Sequence, residues 1–254
     1  MTLEEAIAKI KPLDHNAMEI AQKRWDSIAK PLHSLGKLET LLIQIAGITG
    51  NAEVDLSRRG LIAMCADNGV VEEGVTQTGQ EVTAIVAENF LKYDTSVGVM
   101  CKQNHAEIFP VDMGMVTDTK VRTDHKIAYG TQNMTKGPAM TREQAVKGLE
   151  AGIDMVRELN DKGYRILATG EMGIGNTTTS AVASVLLKQP VEEMTGRGAG
   201  LTSEGLVRKI NAIKKAITLN KPDPEDAIDV LAKVGGLDIA GMAGVFLGGA
   251  VYGI

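Results

Sequence analysis

Between Ile166 and Val182 the chain reads ILATGEMGIGNTTTSAV, and few folds can use such a stretch. The short apolar run Ile166, Leu167, Ala168 predicts a buried strand, which Gly170, Gly173 and Gly175 then break. Asn176 and the threonines Thr177 to Thr179 follow, and the apolar run from Ala181 to Leu187 predicts a helix. Strand, glycine turn, polar cap and helix together make an anion site. Glycine lets the backbone approach a phosphate, and the first-turn N–H groups have no partner inside the helix. Glu171 puts a carboxylate in the same turn. The spacing GxxGxG is neither GxGxxG nor GxxxxGK followed by Ser or Thr, so it carries no dinucleotide fingerprint and no Walker loop. An ordinary βα turn capped by Asn or Thr accounts for this stretch equally well by itself.

The surrounding chain alternates in the way a parallel α/β sheet requires. Gly60 to Asp67 reads as a buried strand, which puts Asp67 and Asn68 at a strand end, the edge where open α/β sheets bind ligands. A strand-end turn aspartate is the plainer reading of Asp67. Glu72 and Glu73 in the following loop read as solvated charges. Helices are expected over Thr83 to Tyr93 and Thr95 to Gln103, a strand at Ile108 to Val111, and a less regular extended segment over Val121 to Tyr129. Thr141 to Leu159 has an amphipathic face of Ala145, Leu149, Ile153 and Val156. A second glycine-rich turn, Gly196, Gly198 and Gly200, precedes a helix to Leu219 that Thr202 or Ser203 caps. At the start, residues 3 to 30 read as helical, and Leu38, Leu41, Leu42 and Ile45 mark another helix. Lys30 and Lys37 flank the Ser34-Leu-Gly turn and read as a solvated helix end. The fold expected is α/β, a Rossmann-like parallel sheet flanked by helices, with an N-terminal helical lobe (1–50) and a nucleotide-binding domain (51–254).

Composition narrows the function. A net charge of -5 argues against a general nucleic-acid binder, and 3% aromatic residues leave little for base stacking. Two cysteines, Cys65 and Cys101, make neither a disulfide framework nor a zinc pair, and the scattered histidines His33, His105 and His125 suggest no metal. No cofactor is expected. The mixed, acidic start from Met1 to Lys9 is unlike a signal peptide, so a cytoplasmic enzyme is the expectation. The segment Ile239 to Ile254 is uncharged, yet too short and glycine-rich for a membrane span. It is expected to leave apolar surface that a partner covers or that a longer chain would bury.

Four segments, KPLHSLGKLE (30–39), CADNGVVEEGVT (65–76), TGEMGIGNTTTSA (169–181) and DAIDVLAKVGGLDIAGMAGVFLGGA (226–250), occur in one order and spacing. Together they resemble the nicotinate-nucleotide:dimethylbenzimidazole phosphoribosyltransferase family, which makes the lower-ligand nucleotide of cobalamin. The resemblance implies a homodimer whose substrates are nicotinate mononucleotide and a benzimidazole-type base, with no metal. By the same resemblance Glu171 is the active-site glutamate of the turn and Lys209 an active-site lysine for phosphate or transition state. Gly170, Gly173, Gly175, Asn176 and Thr177 lie near the nucleotide, as do Gly198 and Gly200. Asp67 belongs to the strand-end motif, and Thr78 falls where the family lines the base pocket. Asn68 stands in place of a histidine common in the family, and Val86 in place of a pocket glutamine, which widens the acceptors to phenols and other benzimidazoles. The family also continues to a GEGSG-like segment with its principal catalytic glutamate, beyond Ile254. The alternative is a non-catalytic nucleotide-binding homologue or partner subunit. A NAD-dependent dehydrogenase would need a GxGxxG turn followed by a ribose-binding acid.

Overall fold

The computed structural model describes all 254 residues. Thr2 and Glu5 form a reciprocal capping box at the start of α1 (Leu3–Lys9). The single helix expected over residues 3 to 30 is in fact broken at residues 10–14, and Asp14 caps a new helix, α2 (His15–Ser27). Pro12 supplies the reason: it lacks an N–H and disfavours a helical residue before it. After α3 (Lys37–Thr49) come β1 (Arg59–Ala66), α4 (Glu81–Lys92), α5 (Ser96–Gln103) and β2 (Ala106–Gly114). A full capping box of Thr141 and Gln144 starts α6 (Arg142–Asp161), which leads to β3 (Ile166–Met172). The chain finishes with α7 (Ala181–Leu186), α8 (Val191–Met194), α9 (Ser203–Asn220), α10 (Ala227–Val234) and α11 (Leu237–Tyr252). Thr202 is the cap of α9.

The three strands are parallel, in the order β2-β1-β3. The central β1 is covered on both faces, which is why its sequence is an almost unbroken apolar run. Ile62, Met64 and Ala66 join a cluster with α6 and α11, whereas Ala63 and Cys65 join Ala87 of α4, Cys101 of α5 and Ile108. A third cluster, with Val75, Ala181, Ile213 and Val230, ties α7, α9 and α10 together. Because the strand order reverses at β1, the crevice of such a sheet opens at the carboxyl ends of β1 and β3.

The uncharged C-terminal segment packs along one face and leaves its last residues part-exposed. Along α11, Ala240, Gly241, Gly244, Val245 and Gly248 are buried, mostly against α6, and Phe246 is the one large side chain left well exposed. A methyl group on Gly152 of α6 would run into the Gly241 carbonyl oxygen, so the two backbones touch where side chains are absent. No helix is long and apolar enough to cross a membrane.

Other expectations need correcting. β3 is an edge strand only partly buried, and it runs through Gly170 and Glu171 to Met172 instead of stopping at Ala168. Val121 to Tyr129 forms no strand, only an isolated bridge from Arg122 to Val111. Lys30 is no solvated helix end: its ammonium lies 2.8 Å from Glu39, which is itself buried. Glu73 is not a free loop charge either, since it accepts bonds from Thr135 (2.7 Å) and Asn133 (2.8 Å). α1 docks on α6, where the Leu3 N–H donates to Glu150 at 3.0 Å, while α2 and α3 pack on each other.

Candidate active site

The end of β3 delivers Glu171 beside the turn that follows it. The Asn176 side-chain amide donates to the Glu171 carboxylate, and burial pushes the Glu171 carboxyl above the usual range while this bond opposes the rise. Gly175 holds the turn at φ 93, a conformation that side chains resist. A 3-10 turn over Asn176–Ser180 then leads into α7. α7 (Ala181–Leu186) falls where the apolar run predicts a helix, and the polar residues expected to cap it form a full 3-10 turn of their own.

The positive charge comes from α9. Lys209 is 1% exposed, and its ammonium donates to Thr177 Oγ1 (2.7 Å), the Arg197 carbonyl (3.1 Å) and the Gly196 carbonyl (3.3 Å). All three partners are neutral, and burial pulls the Lys209 pKa down. A buried cation without a counter-ion is costly unless an anion joins it. Gly198, at φ 70, lies against both groups: a Cβ there would sit 2.8 Å from Thr177 Oγ1 and 3.3 Å from Lys209 Nζ. Asn176, Thr177, Gly196, Gly198 and Ile239 line one cleft of about 700 Å³. The Glu171 carboxylate and the Lys209 ammonium thus reach this cleft through their bonds to its adjacent lining residues Asn176 and Thr177, which suits an anionic sugar phosphate.

Not every expected residue joins them. Gly170 lies within β3 with open space where a side chain would be. Gly200 closes its loop by accepting a bond from Gln77. Thr78 is exposed in the same Gln77 loop. Asp67 is fully buried at the end of β1; one oxygen accepts the Val116 N–H at 2.9 Å, and burial raises its pKa. Val86 packs on the α4–α5 side with the Ala87 and Cys101 cluster. Gly173 crosses so close to the Ala66 carbonyl that a methyl group could not fit.

Sequence reading missed Asp238. It is fully buried in the first turn of α11, accepts the Asn68 amide at 3.3 Å, and has its pKa pushed up to about 7, by burial first and then by Glu171. The only hint was an acid following Gly235-Gly236 at a helix start. A group with metal-ligating atoms also exists, Asp124, His125 and Glu158, but Arg122 already holds both carboxylates.

A family model described as phosphoribosyltransferase matches residues 10–254. The nicotinate-nucleotide–dimethylbenzimidazole phosphoribosyltransferase of Ruminiclostridium cellulolyticum is 53% identical over 99% of this chain and 72% of that protein. The enzyme of the same name from Clostridium acetobutylicum is 51% identical, over 100% of this chain and 73% of that protein. Among solved structures, CobT from Thermus thermophilus superimposes with a TM-score of 0.87 at 35% identity, covering 94% of this chain and 73% of the other.

Proposed function

The chain belongs to the nicotinate-nucleotide–dimethylbenzimidazole phosphoribosyltransferase family, and from that premise we propose how its own residues carry the reaction. It is a phosphoribosyltransferase, moving the phosphoribosyl group of nicotinate mononucleotide to 5,6-dimethylbenzimidazole or a related base. A base nitrogen attacks ribosyl C1′, and the bond from C1′ to the pyridinium nitrogen breaks with its electron pair passing to nicotinate. Configuration inverts, giving the α-riboside 5′-phosphate. Glu171 assists removal of the proton from the base's other ring nitrogen and steadies the positive charge growing at the ribosyl centre. Lys209, with the Gly198 turn and Thr177, holds the phosphate.

The observation that carries this reading is the buried Lys209 ammonium, held by neutral oxygens alone, two of them from Thr177 and Gly196 of the cleft lining. The alternative of a homologue that binds nucleotide without turnover has nothing specific in its favour. A homodimer in the cytoplasm goes with the same reading, and the exposed row Leu32, Leu35, Leu38 and Leu41 suits a subunit contact. A division into a helical lobe in residues 1–50 and a nucleotide-binding domain over 51–254 goes with it too, with α1 of the lobe docked on α6 and α11.

The test is to incubate the purified chain with nicotinate mononucleotide and 5,6-dimethylbenzimidazole and follow nicotinate and the α-riboside phosphate by chromatography. Glu171→Gln is expected to cut kcat by roughly 10²–10⁴-fold, the usual worth of a general base, with the mononucleotide still bound. Full activity in that variant would remove Glu171 from its role. No product from the unaltered chain would sink the assignment of this chemistry to these residues.

A further inference from the structure

In the second glycine turn nearly every carbonyl is taken, while the amides are free. The Gly196 and Arg197 carbonyls accept from Lys209 at 3.3 and 3.1 Å, and the Gly198 carbonyl accepts the Gly200 N–H at 2.8 Å. The Gly200 carbonyl accepts the Gln77 amide, and the Leu201 carbonyl accepts the Arg197 guanidinium at 2.9 Å. The N–H groups of Gly196, Arg197, Gly198 and Ala199 donate to no oxygen of the chain. Consecutive free amides in a turn with left-handed residues form a concave anion site, and Gly198 and Gly200 supply φ 70 and φ 79. Lys209 has no donor left for a phosphate. An ammonium has three, and Thr177 Oγ1 at 2.7 Å takes the one that the two carbonyls leave. Its charge draws the anion in, and the hydrogen bonds fall to the turn.

Gln77 reaches this turn from the loop after β1, 123 positions away in sequence, and that loop is pinned on both sides of it. The Gly74 carbonyl accepts from Nε of Arg208, the neighbour of Lys209 on α9, at 3.1 Å, and Val75 is fully buried in the cluster with Ile213. The Thr76 hydroxyl donates to the Thr78 carbonyl at 2.9 Å, and the Gln80 amide donates to the Asn68 carbonyl at 3.2 Å. Residues 74–80 thus form a strap between the end of β1 and α9, from which Gln77 extends to Gly200. We propose that Gln77 is a positioning residue for phosphate binding: it holds the Gly200 carbonyl back and keeps the free amides of the turn aimed into the cleft that Gly196 and Gly198 line. The physical reason lies in the glycines. Peptide groups beside glycine rotate at little steric cost. A carbonyl turned toward the phosphate would set its negative end against the anion and take an N–H away from it. A tie on each carbonyl blocks that rotation, and the tie from Gln77 is the one that comes from neither α9 nor the turn itself.

The inference rests on the phosphate role that the transferase reading gives this turn, so its test has one arm that needs turnover and one that does not. Gln77→Met keeps the length of the side chain and removes its N–H donor. Ribose 5-phosphate carries the phosphate without the leaving group. In calorimetric titrations Gln77→Met should bind it roughly 3–10-fold more weakly than the unaltered chain does, the worth of one neutral hydrogen bond. In turnover, KM for nicotinate mononucleotide should rise by the same factor, with kcat and KM for 5,6-dimethylbenzimidazole within about twofold. Gln77 is exposed, so the urea midpoint should stay where it is. A merely structural role would lower the midpoint or kcat along with the affinity. Unchanged affinity for ribose 5-phosphate, or a loss that kcat and the midpoint share, overturns the proposal. If the unaltered chain binds no ribose 5-phosphate, the turn is no phosphate site and the proposal falls with it. Weaker binding in Gln77→Met, with no transfer by the unaltered chain, would leave the positioning role standing and remove the transferase reading alone.

Discussion

Lys209 shows how far a single residue can be read. Its place in VRKINAIKKAI suggests only another helix lysine, and its family resemblance marked it as special. The structure gives the physical content: an ammonium sealed from water among neutral oxygens. Removing it is expected to weaken the nucleotide without weakening the fold. Lys209→Met should raise KM for nicotinate mononucleotide at least tenfold, matching the roughly 1.5–3 kcal/mol of a hydrogen bond to a charged group. Its urea midpoint should hold or rise, because the buried charge has no carboxylate to lose. A variant with unchanged KM would mean the phosphate binds elsewhere. Lys214, five residues on, stays on the exposed face as the sequence suggests, paired with Glu192.

Among the elements, the seam between α6 and α11 is set by glycines. Alanine is the better helix former by about 1 kcal/mol, so propensity alone favours Gly152→Ala. The Gly241 carbonyl occupies the space that methyl needs, and the two helices would have to part. We expect Gly152→Ala to cost about 3 kcal/mol, the upper range for overpacking, read as a lower urea midpoint. Gly170→Ala is the contrast. Its site in β3 is open and its φ is not positive, so stability should change by less than about 1 kcal/mol. Helix starts were the most legible elements, since Thr141 and Thr202 carry their caps in the sequence. The break at Pro12 was legible too, though apolar spacing over residues 3 to 30 masked it. The exposure of β3 was not, because an edge strand and a central one can share the same short apolar run.

For the molecule as a whole, the buried Asp238 couples stability to pH. Its carboxyl moves from an ordinary 3.8 to about 7, so the folded chain holds that proton more tightly than the unfolded one. Stability therefore falls as pH rises from about 4 to about 7, by up to about 4 kcal/mol from this group at 1.36 kcal/mol per pH unit. Asp238→Asn removes the cost. The variant should be more stable than the unaltered chain above pH 7, with the gap closing below pH 4, in urea titrations at both ends. A gap of the same size at both pH values would mean that packing, not ionisation, separates them.

By itself the sequence determined the parallel α/β architecture, the glycine turn with its carboxylate, and the family, because these rest on local periodicity, turn chemistry and ordered motifs. Tertiary structure alone decided which charges meet. Asp238 lies 170 positions from Asn68 and Lys209 lies 32 from Thr177, so no local pattern links them. Their pairing exists only because β1, β3, α9 and α11 end at one crevice, where burial removes the water that would otherwise screen each charge from the next.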